Sequence, residues 1–360
     1  MSNPVVHEKL RRWLEWAVQV GASDLHVIVG HPPTIRLNGS LTELMEPPLA
    51  SEDAEPMFAG LCTSETLANF QQSRNADFSF SSIVEGRPAR FRASLFHAGK
   101  FPGGCFRVIP GTIPSFEWAG LPTPLVARLV GLRDGLVIVT GATGSGKTTT
   151  LAMIVNALNE GGGCRIITVE EPVEYVFPRA VNSVVTQREV GLDVLTFADG
   201  LKYGLRQDPD VILVGEIRDR ETAQMCLSAA ETGHLVFTTL HTRDAKGAVT
   251  RFPDFFPQDA QSVVRAQLAL SLRAVVCQRL LADTERGGKR HLALEVLWNT
   301  HPIANAIRQG KTESIDNYLL TGRDEGMLSF DESVRQLLRA GKITRQTAEQ
   351  NVNDVTVLYR

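Results

Sequence analysis

Leu136-Val137-Ile138-Val139-Thr140-Gly141-Ala142-Thr143-Gly144-Ser145-Gly146-Lys147-Thr148-Thr149 is the stretch on which the fold turns. Its first four residues are continuously apolar, as in a strand buried on both faces. Residues 141–148 then fit G-x-x-x-x-G-K-[ST] without a gap, and Thr149 to Leu158 read as a helix. That context of strand, glycine turn and helix separates a phosphate cradle from a merely structural turn. Glycines let the backbone bend so that its N–H groups, and the helix N-terminus behind them, face phosphate oxygens. Lys147 adds a point charge, the Thr148 hydroxyl suits Mg²⁺, and Gly141, Ala142, Thr143, Gly144, Ser145, Gly146 and Thr149 complete the expected binding set. A nucleoside triphosphate is the expected ligand.

Further apolar runs follow at Arg165–Val169, Val211–Val214 and Leu235–Thr239, alternating with helical segments. Runs of this kind predict a parallel sheet with helices on each face, an α/β fold whose ligand sits at the carboxyl ends of the strands. Three clusters fall at strand ends: Glu170-Glu171-Pro172, Gly215-Glu216-Ile217-Arg218-Asp219, and the two histidines, His234 and His241, that bracket the fourth strand. In phosphoryl transfer the protein mainly positions a water and neutralises charge. Glu216 is the candidate to orient or deprotonate that water, and to hold Mg²⁺ through a second water. Glu170 is placed to support Mg²⁺ or polarise the same water, and His241, with His234 as a second candidate, to sense the γ-phosphate. Residues seven apart along a strand fall on opposite faces, so the histidines do not read as a metal pair.

Towards the N-terminus, Val6, Leu10, Trp13, Leu14, Ala17 and Val18 recur at helical spacing and stop at Gly21. Short β-like runs follow at Leu25–Val29, Thr34–Leu37, Phe78–Val84, Ala89–Phe96 and Cys105–Ile109, with turn signals at Asn38-Gly39 and Glu85-Gly86 and one further helix near Ala54–Gln71. Residues 1–109 are expected to form a small α+β domain. The cluster Pro110, Gly111, Pro114, Gly120, Pro122 and Pro124 predicts a linker over 110–124. An ATPase-type α/β domain is expected over 125–300, closing on a strand at Leu292–Leu297, and a helical region over 301–360.

The chain has 360 residues, 43% of them hydrophobic, and a formal net charge of −3 with acidic and basic residues mixed. No basic arm invites nucleic acid, so partners are expected to be proteins. No apolar stretch approaches the roughly 20 residues of a membrane span, and no signal peptide is evident, so a cytosolic protein, at most docked to a membrane complex, is expected. Cys62, Cys105, Cys164, Cys226 and Cys277 stand singly, in none of the spacings of a zinc site, and read as reduced, packed thiols.

The set GATGSGKTTT, TVEEPVEY, DPDVILVGEIRDRET and AAETGHLVFTTLHT resembles the Walker A, Asp box, Walker B and His box of the secretion ATPases that drive type II secretion and type IV pili. GASDLHVIVGHPPTIRLNG, ARFRASLF, VTQREVGLD, AIRQGK and GMLSFDESV are similar to its pilus retraction branch, of PilT and PilU types. The resemblance covers nearly the whole chain. It implies a PAS-like N-terminal domain, a RecA-like P-loop ATPase domain, and a homo-hexamer with ATP and Mg²⁺ between subunits. It further implies retraction of a pilus through a platform protein of the inner membrane, with a second retraction ATPase as a possible partner, and residence at the inner face of that membrane. Glu170-Glu171-Pro172 departs from the usual Glu-Asp-Pro by one methylene. The paired-cysteine zinc module of assembly-type relatives has no counterpart here, which favours retraction over extension. PilT-like and PilU-like features are mixed.

A ring also requires cations from a neighbour. Arg90, Arg92 and Arg107 alternate with apolar residues, which reads equally as a solvent face or as arginine fingers. The resemblance favours Arg92 and Arg107, with Arg206 a weaker candidate. Ala306-Ile307-Arg308-Gln309-Gly310-Lys311 reads by itself as a helix C-terminus capped by Gly310, and the resemblance makes it a coupling surface.

Overall fold

The computed structural model describes residues 6–37, 39–84, 86–109, 111–285 and 288–359, leaving the turn residues Asn38 and Glu85 and the linker residue Pro110 outside the described set. Two compact units are present, Met1–Thr112 and Ile113–Arg360. Among the described residues no helix is long and apolar enough to cross a membrane.

In the first unit, helix α1 (Glu8–Gln19) buries Leu10, Trp13, Leu14 and Ala17, one apolar stripe at helical spacing. Strands β1 (Asp24–Val27), β2 (Thr34–Leu37) and β3 (Ser40–Glu43) precede two helices, α2 (Ser51–Ala59) and α3 (Ser64–Ser73). Strands β4 (Asn75–Val84), β5 (Arg87–Ala98) and β6 (Phe101–Ile109) complete a sheet of order β3-β2-β1-β6-β5-β4. Phe91, Ala93 and Leu95 of β5 are buried, while Arg90, Arg92 and Ser94 lie on the half-exposed face, as the two-residue strand period requires. Phe80 stacks on Phe91 at 5.3 Å between ring centres, inside the core that Phe58 and Phe106 share. The single helix expected over 54–71 is two, because Thr63 accepts a hydrogen bond from the Thr66 N–H and starts the second.

The second unit opens with α4 (Phe116–Ala119) and α5 (Thr123–Val130), so the segment expected to be an irregular linker contains helix. Its prolines do not forbid it: Pro122 is the N-cap of α5 and Pro124 stands in its first turn, where no intrahelical N–H is lost. The succession continues with β7 (Gly135–Gly141), α6 (Lys147–Gly161), β8 (Arg165–Glu170), β9 (Val184–Glu189), α7 (Phe197–Gly204), β10 (Val211–Val214), α8 (Arg220–Glu231) and β11 (Leu235–Leu240). After them come α9 (Ala245–Arg251), α10 (Gln261–Ser271), β12 (Leu272–Leu281) and β13 (His291–Trp298). The sheet order is β13-β12-β7-β11-β10-β8-β9. Its strands are parallel except β13, which runs antiparallel to β12, so the wholly parallel sheet expected from sequence is in fact mixed. Helices α11 (His301–Gln309), α12 (Ile315–Thr321), α13 (Phe330–Arg339) and α14 (Arg345–Glu349) close the chain. Ile303, Ile307 and Ile315 join the main core, whereas Phe330, Val334 and Ile343 form a separate cluster with Cys277, Leu281 and Ala293.

Gly200, inside α7, packs directly on β8: a methyl group there would lie 2.6 Å from Val169 Cγ1, on a β-branched side chain with little room to yield. Gly200→Ala should therefore lower unfolding free energy by about 1–3 kcal/mol, overriding the helix-propensity gain of about 1 kcal/mol. Denaturant titration checks the sign; a stabilised variant would show that α7 is free to shift off the sheet.

Candidate nucleotide site at the carboxyl edge of the sheet

Strand β7 delivers Gly141 at φ 144°, where an added Cβ would collide with the Gln278 carbonyl oxygen of β12. Gly146, at φ 88°, is the N-cap of α6. Only glycine meets both demands, close backbone approach and positive φ. The turn thereby aims the first N–H groups of α6 into the loop. Lys147 is buried, and its Nζ donates to the carbonyls of Gly141 at 2.9 Å and Ala142 at 3.1 Å. Burial lowers the Lys147 pKa, and the negative charges of Glu216 and Glu174 oppose that shift. Thr148 is exposed in the first turn of α6, while the Thr149 hydroxyl meets the Tyr175 hydroxyl at 2.9 Å. The cradle thus fits a phosphate chain, and the exposed Thr148 hydroxyl is an oxygen donor of the kind that Mg²⁺ takes.

Because β8, β10, β11 and β7 are parallel neighbours, their carboxyl ends meet along one edge. Glu216 follows β10 and His241 follows β11, and Glu216 Oε2 lies 3.2 Å from His241 Nε2. Arg218 donates to both Glu216 and Glu171, joining the ends of β10 and β8. Burial works against the charge on Glu216, but the Arg218 hydrogen bond and charge, with His241 adding to them, hold its carboxyl below the ordinary range. The backbone behind this network is fixed: Thr239 Oγ1 donates to the Gly215 carbonyl at 2.6 Å, and the Thr242 N–H donates to Thr140 Oγ1 at 2.9 Å.

Two expected residues stand elsewhere. His234 precedes β11, bonded through Nδ1 to Ala229 and Thr232 at the amino edge, one six-residue strand or roughly 20 Å from His241. The strand direction therefore separates the two histidines, and His234 does not share a site with the P-loop. Arg206 likewise lies ahead of β10, at the amino edge. Glu170 is buried at the end of β8 and accepts from Thr168 Oγ1 at 2.6 Å and Gln187 Nε2 at 3.1 Å. Glu171, not Glu170, joins Glu216 through Arg218, a link that sequence reasoning missed although Arg218 stands only two residues beyond Glu216.

In the first unit, Arg92 of β5 and Arg107 of β6 are directly paired across the sheet. Two like charges so placed repel. Asp24, the β1 partner of Arg107, accepts from its Nε at 3.0 Å and offsets the repulsion.

Removing the Arg218 charge should let burial prevail at Glu216, raising its pKa. If ionised Glu216 is required, the acidic limb of kcat/KM against pH moves to higher pH in Arg218→Gln while the alkaline limb stays. An unmoved acidic limb would detach Glu216 from the titration that governs activity.

A family model described as type II/IV secretion system protein matches residues 2–356. The chain is 39% identical to the type IV pilus retraction ATPase PilT of Pseudomonas aeruginosa, covering 94% of this chain and 96% of that protein. It is 36% identical to the type IV pilus ATPase PilU of the same organism, over 98% and 91%. Among solved structures, the pilus retraction motor PilT with bound ADP superposes with a TM-score of 0.85 at 38% identity, over 98% of this chain and 99% of that one. With its motifs gathered at one sheet edge and likeness along almost its whole length, this chain belongs to the type II/IV secretion system protein family.

Proposed function

We propose that this chain is the ATPase subunit of a homo-hexameric motor that withdraws type IV pili, working against a platform protein at the inner face of the cytoplasmic membrane. The observation that carries the reading is the convergence of Lys147, Glu216 and His241 at one edge, in a chain similar end to end to a pilus retraction ATPase. Lys147 exchanges its loop carbonyls for phosphate oxygens when ATP enters. Glu216 orients the attacking water and takes its proton, and His241 holds Glu216 in place while facing the γ-phosphate. Thr148, with Glu216 and Glu170 through waters, would hold Mg²⁺, whose charge offsets that of the phosphates. Arg92 and Arg107 supply cations to the nucleotide of the adjacent subunit. The near-neutral surface supports protein partners over nucleic acid.

The output surface is read at α11. Gly310, at φ 69°, caps the helix, and the Lys311 N–H returns to the Ala306 carbonyl at 2.9 Å, leaving Arg308 and Lys311 exposed. Arg308 lines a groove with Leu270, Arg273, His301 and Pro302. A second reading, an accessory subunit on another retraction ATPase, is supported by the comparable likeness to PilU. Turnover of the purified chain, alone and with a second ATPase, separates the two.

Glu216→Gln should bind ATP normally and hydrolyse it about 10²–10⁴-fold more slowly, whereas Lys147→Ala should lose nucleotide affinity. Equilibrium binding with single-turnover hydrolysis distinguishes these defects, and wild-type turnover in Glu216→Gln would remove it from the chemistry. Mixing Arg92→Ala with Glu216→Gln subunits should restore part of the activity if the arginine acts across an interface; no rescue at any ratio places its effect within one subunit.

In cells, Arg308→Ala with Lys311→Ala should leave turnover near wild type while surface pili accumulate, as counted by electron microscopy. A deletion strain without pili, in place of one with excess pili, would overturn retraction itself.

A further inference from the structure

We infer that Arg279 and Glu295 are positioning residues for ATP hydrolysis, clamping the segment that follows His241 to helices α13 and α14. The clamp rests on the reading of His241 at the γ-phosphate.

Strand β12 presents alternate residues to two different layers. Gln278 turns towards the P-loop, where its Nε2 donates to the Ser145 carbonyl at 3.3 Å, whereas Cys277 and Leu281 join the cluster built by the C-terminal helices. Arg279 lies on this second face, and each of its terminal nitrogens is engaged. One donates to the Arg243 carbonyl at 3.1 Å, two residues beyond His241, and the other to the Asn351 carbonyl, at 3.4 Å, just after α14. The guanidinium also lies 4.1 Å from the ring centre of Phe330, the first residue of α13.

Glu295 repeats the bridge from the neighbouring strand, paired with Cys277 across β12 and β13. Its buried carboxylate accepts the Ala245 N–H, the first of α9, at 2.7 Å, and the backbone at Phe330 also favours its charge. Two helix N-termini therefore face one carboxylate, and the end of α9 is bonded to it through an N–H with no partner inside its own helix. Burial pushes the Glu295 carboxyl up to about 6, the Asp244 charge adds to that shift, and the backbone at Ala245 and Phe330, with Arg279, opposes it. A buried charge held on these terms is costly to leave without its partners, so the start of α9 stays on it. Residues 243–245 are thus bonded on one side to Arg279, which also holds Phe330 and Asn351, and to Glu295, which faces the start of α13. On the other side, Thr242 is bonded to Thr140, the residue before the P-loop. Displacing α13 and α14 pulls on the loop that sets His241, and a change at His241 reaches them by the same bonds.

Full-length Arg279→Lys, which keeps the charge but loses the planar fork, provides the test. Its kcat should fall about tenfold, with KM for ATP changed less than about twofold, because the lost bonds position chemistry and not binding. In a double-mutant cycle, adding Arg279→Lys to His241→Ala should cost nothing beyond His241→Ala alone; additive losses, or an unchanged kcat in a folded variant, overturn the clamp. Hydrogen exchange provides an arm independent of His241. A non-hydrolysable ATP analogue should slow exchange at the P-loop and over residues 330–351 in the wild type, but only at the P-loop in Arg279→Lys and Glu295→Gln. Slowing over 330–351 that is missing in the wild type, or intact in the variants, overturns the clamp. Wild-type kcat in His241→Ala would sink the reading of His241 instead, leaving the exchange result to judge the clamp.

Discussion

The close approach of Gly141 to β12 is the constraint on which the nucleotide site depends. With no side chain at Gly141, the end of β7 lies against the Gln278 backbone, and the loop can turn back over the sheet edge to start α6. A Cβ at that point would push the loop off β12 and carry Lys147 and Thr148 with it. The strict glycine requirement is therefore as much about sheet packing as about phosphate access. Gly144 shows the contrast: no atom lies within 4 Å of a Cβ built there, so its φ of +77° alone argues for glycine.

Opposite the loop, charge is arranged as a chain and not as isolated groups. Glu171, Arg218, Glu216 and His241 connect the ends of three strands, with the single cation between the two carboxylates. Partial burial would otherwise drive Glu216 towards its neutral form, which cannot accept a proton from water. Arg218 thus prepares Glu216 electrostatically for the role its position implies, and its exposure leaves it accessible to other anions.

Much of this was legible in the sequence, for reasons that differ from residue to residue. The P-loop could be read because its spacing and flanking strand are local properties. Glu216 and His241 could be read because each ends an apolar run. His234 was grouped with His241 although the strand between the histidines was recognised, and a six-residue strand must put its two ends at opposite edges of the sheet. Strand β12 escaped notice because its apolar run follows α10 without a break, and a buried apolar run alone does not distinguish strand from helix. Strand β9 lies at the sheet edge and carries Thr186, Gln187 and Arg188, so it lacks the apolar signature of its neighbours. Arg279 and Glu295 have no local signal, since their importance arises only from segments that the fold brings together.

The alternation along β12 has an evolutionary consequence. Neighbouring residues of one strand serve two layers, Gln278 the nucleotide loop and Arg279 the C-terminal helices, so a one-residue slip of the strand beyond its bulge at 272–274 would exchange their faces and damage both at once. Among its described residues, the connection from β12 to β13 carries no such double duty. Among related chains, length variation should collect in that connection and be absent from the regular part of the strand, making residues 274–281 a fixed ruler against which an alignment of divergent relatives can be anchored.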